Sequence, residues 1–111
     1  MEKIRIDPGQ EVISVVDNHL KKHGITDGAI VSVIGAVDEC CISNMPKSDP
    51  REDILNEYSE PFEISGSGEI RDGKAHIHIV LGKEGDQTLS GHLHWAKVET
   101  WYVHVFVIPI M

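Results

Sequence analysis

The dipeptide Asp72-Gly73 stands between two runs of strand-forming residues, Phe62 to Ile70 before it and Lys74 to Leu81 after it. Asp-Gly suits the left-handed backbone of a tight hairpin turn, so it predicts two antiparallel neighbours whose register the turn sets. A second turn at Glu84-Gly85-Asp86 leads into Thr88 to Trp95, and Val98 to Ile110 reads as a long last strand. In that strand Val103, Val105 and Val107 share one face, while Tyr102, His104, Phe106 and Ile108 share the other. The C-terminal half is thus a β-meander, and its apolar face needs a cover.

The N-terminal half offers one. Glu2 to Ile6 reads as a short strand, and Asp7-Pro8-Gly9-Gln10 has the marks of a helix start: a capping Asp, a Pro for the first turn and a Gln placed to bond back. Apolar residues then recur at Val12, Val15, Val16 and Leu20 until Gly24 supplies a stop after Lys21, Lys22 and His23. The pattern predicts a helix over Gly9 to His23. From Ala29 to Val37 nearly every residue is apolar or β-branched, which predicts a strand buried on both faces, between the helix and a neighbouring subunit. Glu39 to Asn44 reads as a further strand and Lys47 to Asp53, with Pro46 before it and Pro50 within it, as a loop. One helix with several mostly antiparallel strands makes an α+β fold, in a single domain over residues 1–111.

Charge narrows the function. With 18 acidic and 10 basic residues the formal net charge is -8, and the basic residues form no run. Affinity for nucleic acid rests largely on Lys and Arg neutralising phosphates, so the isolated domain is not expected to grip DNA. The two cysteines, Cys40 and Cys41, are sequence neighbours that point to opposite sides of a strand and suit a reducing cytoplasm. No early stretch resembles a signal peptide, and the longest apolar run falls far short of the roughly 20 residues that span a bilayer. A cytoplasmic protein without a membrane partner is the expectation.

Five of the seven histidines lie between positions 76 and 104, on three successive predicted strands. His76 and His78 are one residue apart, so in a strand their rings share a face about 6.5 to 7 Å apart along the backbone. His92 and His94 repeat the spacing on the next strand. If the strands pair, a third imidazole joins the first two, and three histidines with an open fourth position are what catalytic zinc uses. The same alternation also suits a strand with one wet face, where histidine simply fills polar positions. His104 shares a face with Tyr102 and Phe106, a core or interface setting. His19 and His23, four apart on the helix, are spaced to chelate an ion in principle, although the favourable place of His23 at a helix C-terminus is the better explanation. Glu69 and Glu99 are the acid–base candidates, and Arg71 shares a strand face with Glu69 near the histidines. No Ser-His-Asp order, phosphate-cradling glycine loop or nucleophile elbow is present.

Several stretches together resemble the plant-and-prokaryote-conserved (PPC) domain, which in plants follows AT-hook motifs in nuclear proteins. They are Arg5-Ile6-Asp7-Pro8-Gly9-Gln10-Glu11-Val12, His23-Gly24-Ile25, Gly28 to Ala36, Phe62-Glu63-Ile64, Asp72-Gly73-Lys74-Ala75-His76-Ile77-His78 and Gly91-His92-Leu93. The resemblance implies an antiparallel sheet packed on one helix, a stand-alone domain of prokaryotic type, a homotrimer, and a metal site on His76, His78 and His92, in a fold group shared with the zinc enzyme acetolactate decarboxylase. It also exposes departures. Ser90-Gly91 stands where the family usually has two glycines, His94 where it usually has an aliphatic residue, and His104 near a usual acidic position. No AT-hook is present.

Two functional classes follow. The first is a binding or regulatory module, a trimer with a histidine-lined site for zinc or another divalent ion. It would recognise a protein or small molecule and be associated with DNA only through partners. The alternative is a zinc-dependent lyase or hydrolase on the same three histidines, with Glu69 or Glu99 as acid or base and His94, His104 and Arg71 as auxiliary groups. Direct DNA binding ranks last.

Overall fold

The structure, a computed structural model, describes residues 1–110. Its strands are β1 (Glu2–Ile6), β2 (Asp27–Val37), β3 (Glu39–Asn44), β4 (Ile54–Tyr58), β5 (Phe62–Arg71), β6 (Lys74–Lys83), β7 (Gln87–Lys97) and β8 (Val103–Pro109), with one helix, α1 (Val12–His23). The strands form one antiparallel sheet in the order β1-β8-β2-β5-β6-β7-β3-β4. The fold is α+β, as the sequence implied. Among the described residues no helix is long and apolar enough to cross a membrane.

Only Asp38 separates β2 from β3, yet the two strands stand four places apart in the sheet. Four strand spacings in a flat sheet are about 19 Å, whereas two extended residues reach only about 7 Å. The sheet must therefore curl until its two halves meet. The curl encloses α1, whose Val12, Val16 and Leu20 are buried against Ile6, Ile77, Leu93, Val105 and the other apolar residues of the inner face. Each such side chain contributes on the order of 2 kcal/mol. Asp38 sits at the seam and accepts hydrogen bonds from the backbone N–H groups of Glu99 (2.7 Å) and Thr100 (3.1 Å). Its burial raises the pKa, but these bonds and the Thr100 hydroxyl outweigh that and hold the carboxyl below its ordinary value.

Two expected boundaries are corrected. The helix starts at Val12, not Gly9, because Asp7 to Gln10 closes a turn instead: Gly9 takes φ 89°, and the Gln10 N–H donates to the Asp7 carbonyl at 3.1 Å. Pro followed by a positive-φ Gly is the pairing that a β-turn prefers. The Gln10 side chain does bond back, accepting from the Asp7 N–H at 2.8 Å, but the cap is Glu11. Its carboxylate accepts from Ile13 and Ser14 in α1 and from Ala96 in β7, tying the helix start to the sheet.

The last strand begins at Val103, not Val98, since residues 98–102 carry the chain between the two halves of the curl. In β2, one face is buried against the core, as expected, and the face expected to meet a neighbouring subunit is open in the single chain, with Val31 47% and Ile34 53% exposed. Ile30 and Val33 share the buried face although three residues apart, because a bulge between them inserts an extra residue. The sequence reading also leaves Ile54 to Glu60 without an element. The strand there, β4, is a largely exposed edge with no inside–outside alternation to betray it.

Candidate metal centre

The β5–β6 turn has Asp72 at φ 52° and Gly73 at φ 75°, the left-handed pair that a two-residue hairpin needs. That turn pairs Glu69 with His76 and Ser67 with His78. On the other side of β6, His78 pairs with His92, and His92 in turn pairs with Ser43 of β3. Ser67, His78, His92 and Ser43 thus form one row across four strands. Register is held by the opposite face, where Ile77, Ile79 and Leu93 are buried in the core. A slip of one residue would exchange them with the histidines, so burial of the isoleucines keeps the imidazoles on the outer face.

Glycines make this segment tight. A Cβ on Gly68 would land on the carbonyl oxygen of His76 and 3.0 Å from Ile77 Cα, and one on Gly66 would lie 2.5 Å from the His78 carbonyl oxygen. The β5 backbone therefore lies directly against the residues that carry the histidines.

Ring centroids are 5.7 Å apart for His78 and His92, 6.2 Å for His76 and His92, and 5.1 Å for His92 and His94. Two imidazoles sharing an ion at about 2.0 to 2.1 Å have centroids roughly 5 Å apart, a spacing close to these. Among the described residues no three His, Cys, Asp or Glu side chains already surround one point at coordination distance. His92 is held below the ordinary histidine pKa by burial and then by His94, His78 and His76, with Asp53 opposing. It is therefore neutral near pH 7, the form that offers a lone pair to a metal.

His94 owes its position to a bulge in β7 opposite Cys41 and Ile42. Its Nε2 lies 2.8 Å from the hydroxyl of Ser43, which is buried. Arg71 bonds Glu69 at 2.9 Å and also donates to His76 Nδ1 at 3.2 Å. A cavity of about 540 Å³ opens beside the row, lined by Ser43, Asn44, Asp53, Ser67, His78 and His92 among others. A second recess of about 290 Å³ holds Glu69, Arg71 and His76 together with His78 and His92.

Two sequence candidates are not brought here. His104 lies on β8, three strand spacings or about 14 Å from β6, beside Arg5 (3.3 Å) and the Tyr102 ring. Glu99 lies in the connection between β7 and β8 and lines neither recess. Conversely, the sequence reading did not single out Ser43, Ser67 or Asp53. Alternate glycines at Gly66 and Gly68 were the available signal that something approaches β5 closely.

The model of the Plants and Prokaryotes Conserved (PCC) domain, the PPC domain of the resemblance above, matches residues 3–110. The chain belongs to this family. Of solved structures, this PCC domain is 33% identical to a metal-containing protein from Archaeoglobus fulgidus, with a TM-score of 0.75 over 94% of this chain and 76% of that one. A PPC protein of Pyrococcus horikoshii is 23% identical, with a TM-score of 0.82 over 99% of this chain and 78% of that one. A Staphylococcus aureus protein similar to alpha-acetolactate decarboxylase shares the fold at 12% identity, with a TM-score of 0.66 over 96% of this chain and 52% of that one. Among curated proteins none matches the chain in sequence.

Proposed function

We propose that this PCC domain is a binding or regulatory module, a homotrimer in which each chain holds one divalent transition metal, zinc foremost, on His76, His78 and His92. The observation that carries this reading is the direct cross-strand pairing of His78 with His92, with His76 two residues before His78 on the same strand and diagonal to His92. The metal-containing relative from Archaeoglobus supports it. Imidazole nitrogens favour zinc, copper, nickel or iron over magnesium and calcium. The ligand is a protein segment or small molecule entering the 540 Å³ cavity. With a net charge of -8, association with DNA runs through partners. The trimer is supported by the open apolar strip of Val31, Ile34 and Ile108 on β2 and β8, a surface that calls for cover. Burial pushes the Cys40 thiol up to about 11, with Cys41 and Glu60 adding to the shift, so it stays protonated and unreactive, in keeping with a cytoplasmic setting.

A second reading, a zinc-dependent lyase or hydrolase, is favoured by one feature: Glu69 shares a recess with all three histidines. A zinc ion there would polarise a substrate carbonyl or bring a bound water's pKa toward about 7. Glu69 would then move the proton, with Arg71 holding the carboxylate.

His76 supplies a finer test of the site. Arg71 donates to Nδ1, whereas an ion on Nε2 requires a proton on Nδ1 and an acceptor for it. Glu69, the cross-strand partner of His76, would be that acceptor once released from Arg71. Glu69→Gln is expected to weaken zinc binding by about 10- to 100-fold and Arg71→Ala to leave it equal or tighter, measured by competition with a chromogenic chelator. The proposal as a whole is tested by elemental analysis and light scattering on protein purified without chelator or affinity tag. One transition-metal ion per chain and a trimeric mass are expected, and a metal-free monomer would overturn it.

A further inference from the structure

On the inner side of the sheet, away from the outer-face histidines, lies a second group of metal-ligating side chains. His19 and His23 are one helical turn apart on α1, with ring centroids 4.3 Å apart and planes tilted by 42°. Glu2, on the edge strand β1, faces His19, and its Oε1 accepts from His19 Nε2 at 2.8 Å. The His19 and Glu2 side chains are 24% and 38% exposed, and His23 is exposed, so an ion reaches them from solvent.

We infer that His19, His23 and Glu2 form a second divalent transition-metal site, independent of the one proposed above. Nitrogen and oxygen ligands on a tetrahedral ion are about 3.3 Å apart, so an ion can replace the shared proton between His19 and Glu2 with a shift of about half an ångström. Spreading the two rings to the roughly 5 Å that a common ion requires needs a change of similar size. Two imidazoles and a carboxylate are a donor set for zinc, nickel or copper, with water completing the shell. The helix ends at His23, and its terminal carbonyls lend negative potential there, against the charges of Lys21 and Lys22 in the same turn. Bound, the ion would clamp the start of edge strand β1 to the C-terminal end of α1.

The experiment is zinc titration by calorimetry on the full chain and on His76→Ala/His78→Ala/His92→Ala/His94→Ala, whose substitutions lie on the outer face. The fourfold variant is expected to keep one zinc equivalent, and adding His23→Asn should weaken that equivalent about tenfold or more. In the otherwise native chain, His23→Asn or Glu2→Gln should remove one equivalent and leave the other untouched, which decides the matter even if the fourfold variant does not fold. Copper bound to the fourfold variant should show two nitrogen couplings in its electron paramagnetic resonance spectrum, and one after His23→Asn. Zinc stoichiometry and affinity unchanged by both His23→Asn and Glu2→Gln would overturn the inference. So would a native chain that binds a single equivalent removed only by His78→Ala.

Discussion

Gly68→Ala is expected to cost about 3 kcal/mol of stability or more, a drop in Tm on the order of 10 to 20 °C. The new methyl group has nowhere to go. It meets the carbonyl oxygen of His76 and the backbone of Ile77, which are chain atoms and cannot rotate aside. Relief requires β5 and β6 to part in the segment that pairs Gly68 with Ile77 and Glu69 with His76. The comparison that isolates this cause is Gly82→Ala, also within the β5–β6 ladder, where a Cβ would meet the Glu63 carbonyl oxygen at an ordinary 3.4 Å. Gly82→Ala should change stability by less than about 1 kcal/mol in either direction. Urea unfolding of the two variants side by side checks the pair, and equal midpoints would refute the close-approach argument.

His78→Ala is expected to weaken divalent-metal binding at the proposed three-histidine site by more than about 100-fold, beyond the usual effect of changing a ligand's hydrogen-bond partner. It removes the central ring of the row, the direct partner of His92. In the native chain, zinc at a hundred times its Kd should raise stability by about 2.7 kcal/mol. That corresponds to a gain in Tm on the order of 10 °C. The exposed His78 contributes little to the core, so the metal-free variant should melt close to the metal-free native chain. Thermal unfolding of both proteins with and without zinc reads the two effects separately. An equal zinc-induced rise in His78→Ala would mean that the stabilising ion sits elsewhere, and the second site proposed on α1 is silenced in this comparison by His23→Asn.

Much of this was legible in the chain. Asp72-Gly73 dictated the hairpin and its register, because few residues accept two successive left-handed positions. Alternation of Ile with His in β6 told which side chains face out, because a strand has a period of two. The strands Glu2–Ile6 and Glu39–Asn44 were read with the bounds they have. Where the reading slipped, a local signal had two meanings. Asp7-Pro8-Gly9-Gln10 carries the residues of both a helix start and a β-turn, and only the arrangement of Glu11, which bonds Ile13, Ser14 and Ala96 together, decides between them.

The sequence by itself determined the α+β class, the family, and the placing of His76 and His78 on one outward face. Each is a property of local residue patterns or of their order along the chain. Only the tertiary structure decided that His78 and His92 are direct partners, that Ser43 closes the row and holds His94 after a bulge, and that His104 and Glu99 belong elsewhere. Those facts depend on sheet order and curl, which arise from contacts between residues tens of positions apart. A short periodic pattern records which way a side chain points, but not which strand will come to lie beside it.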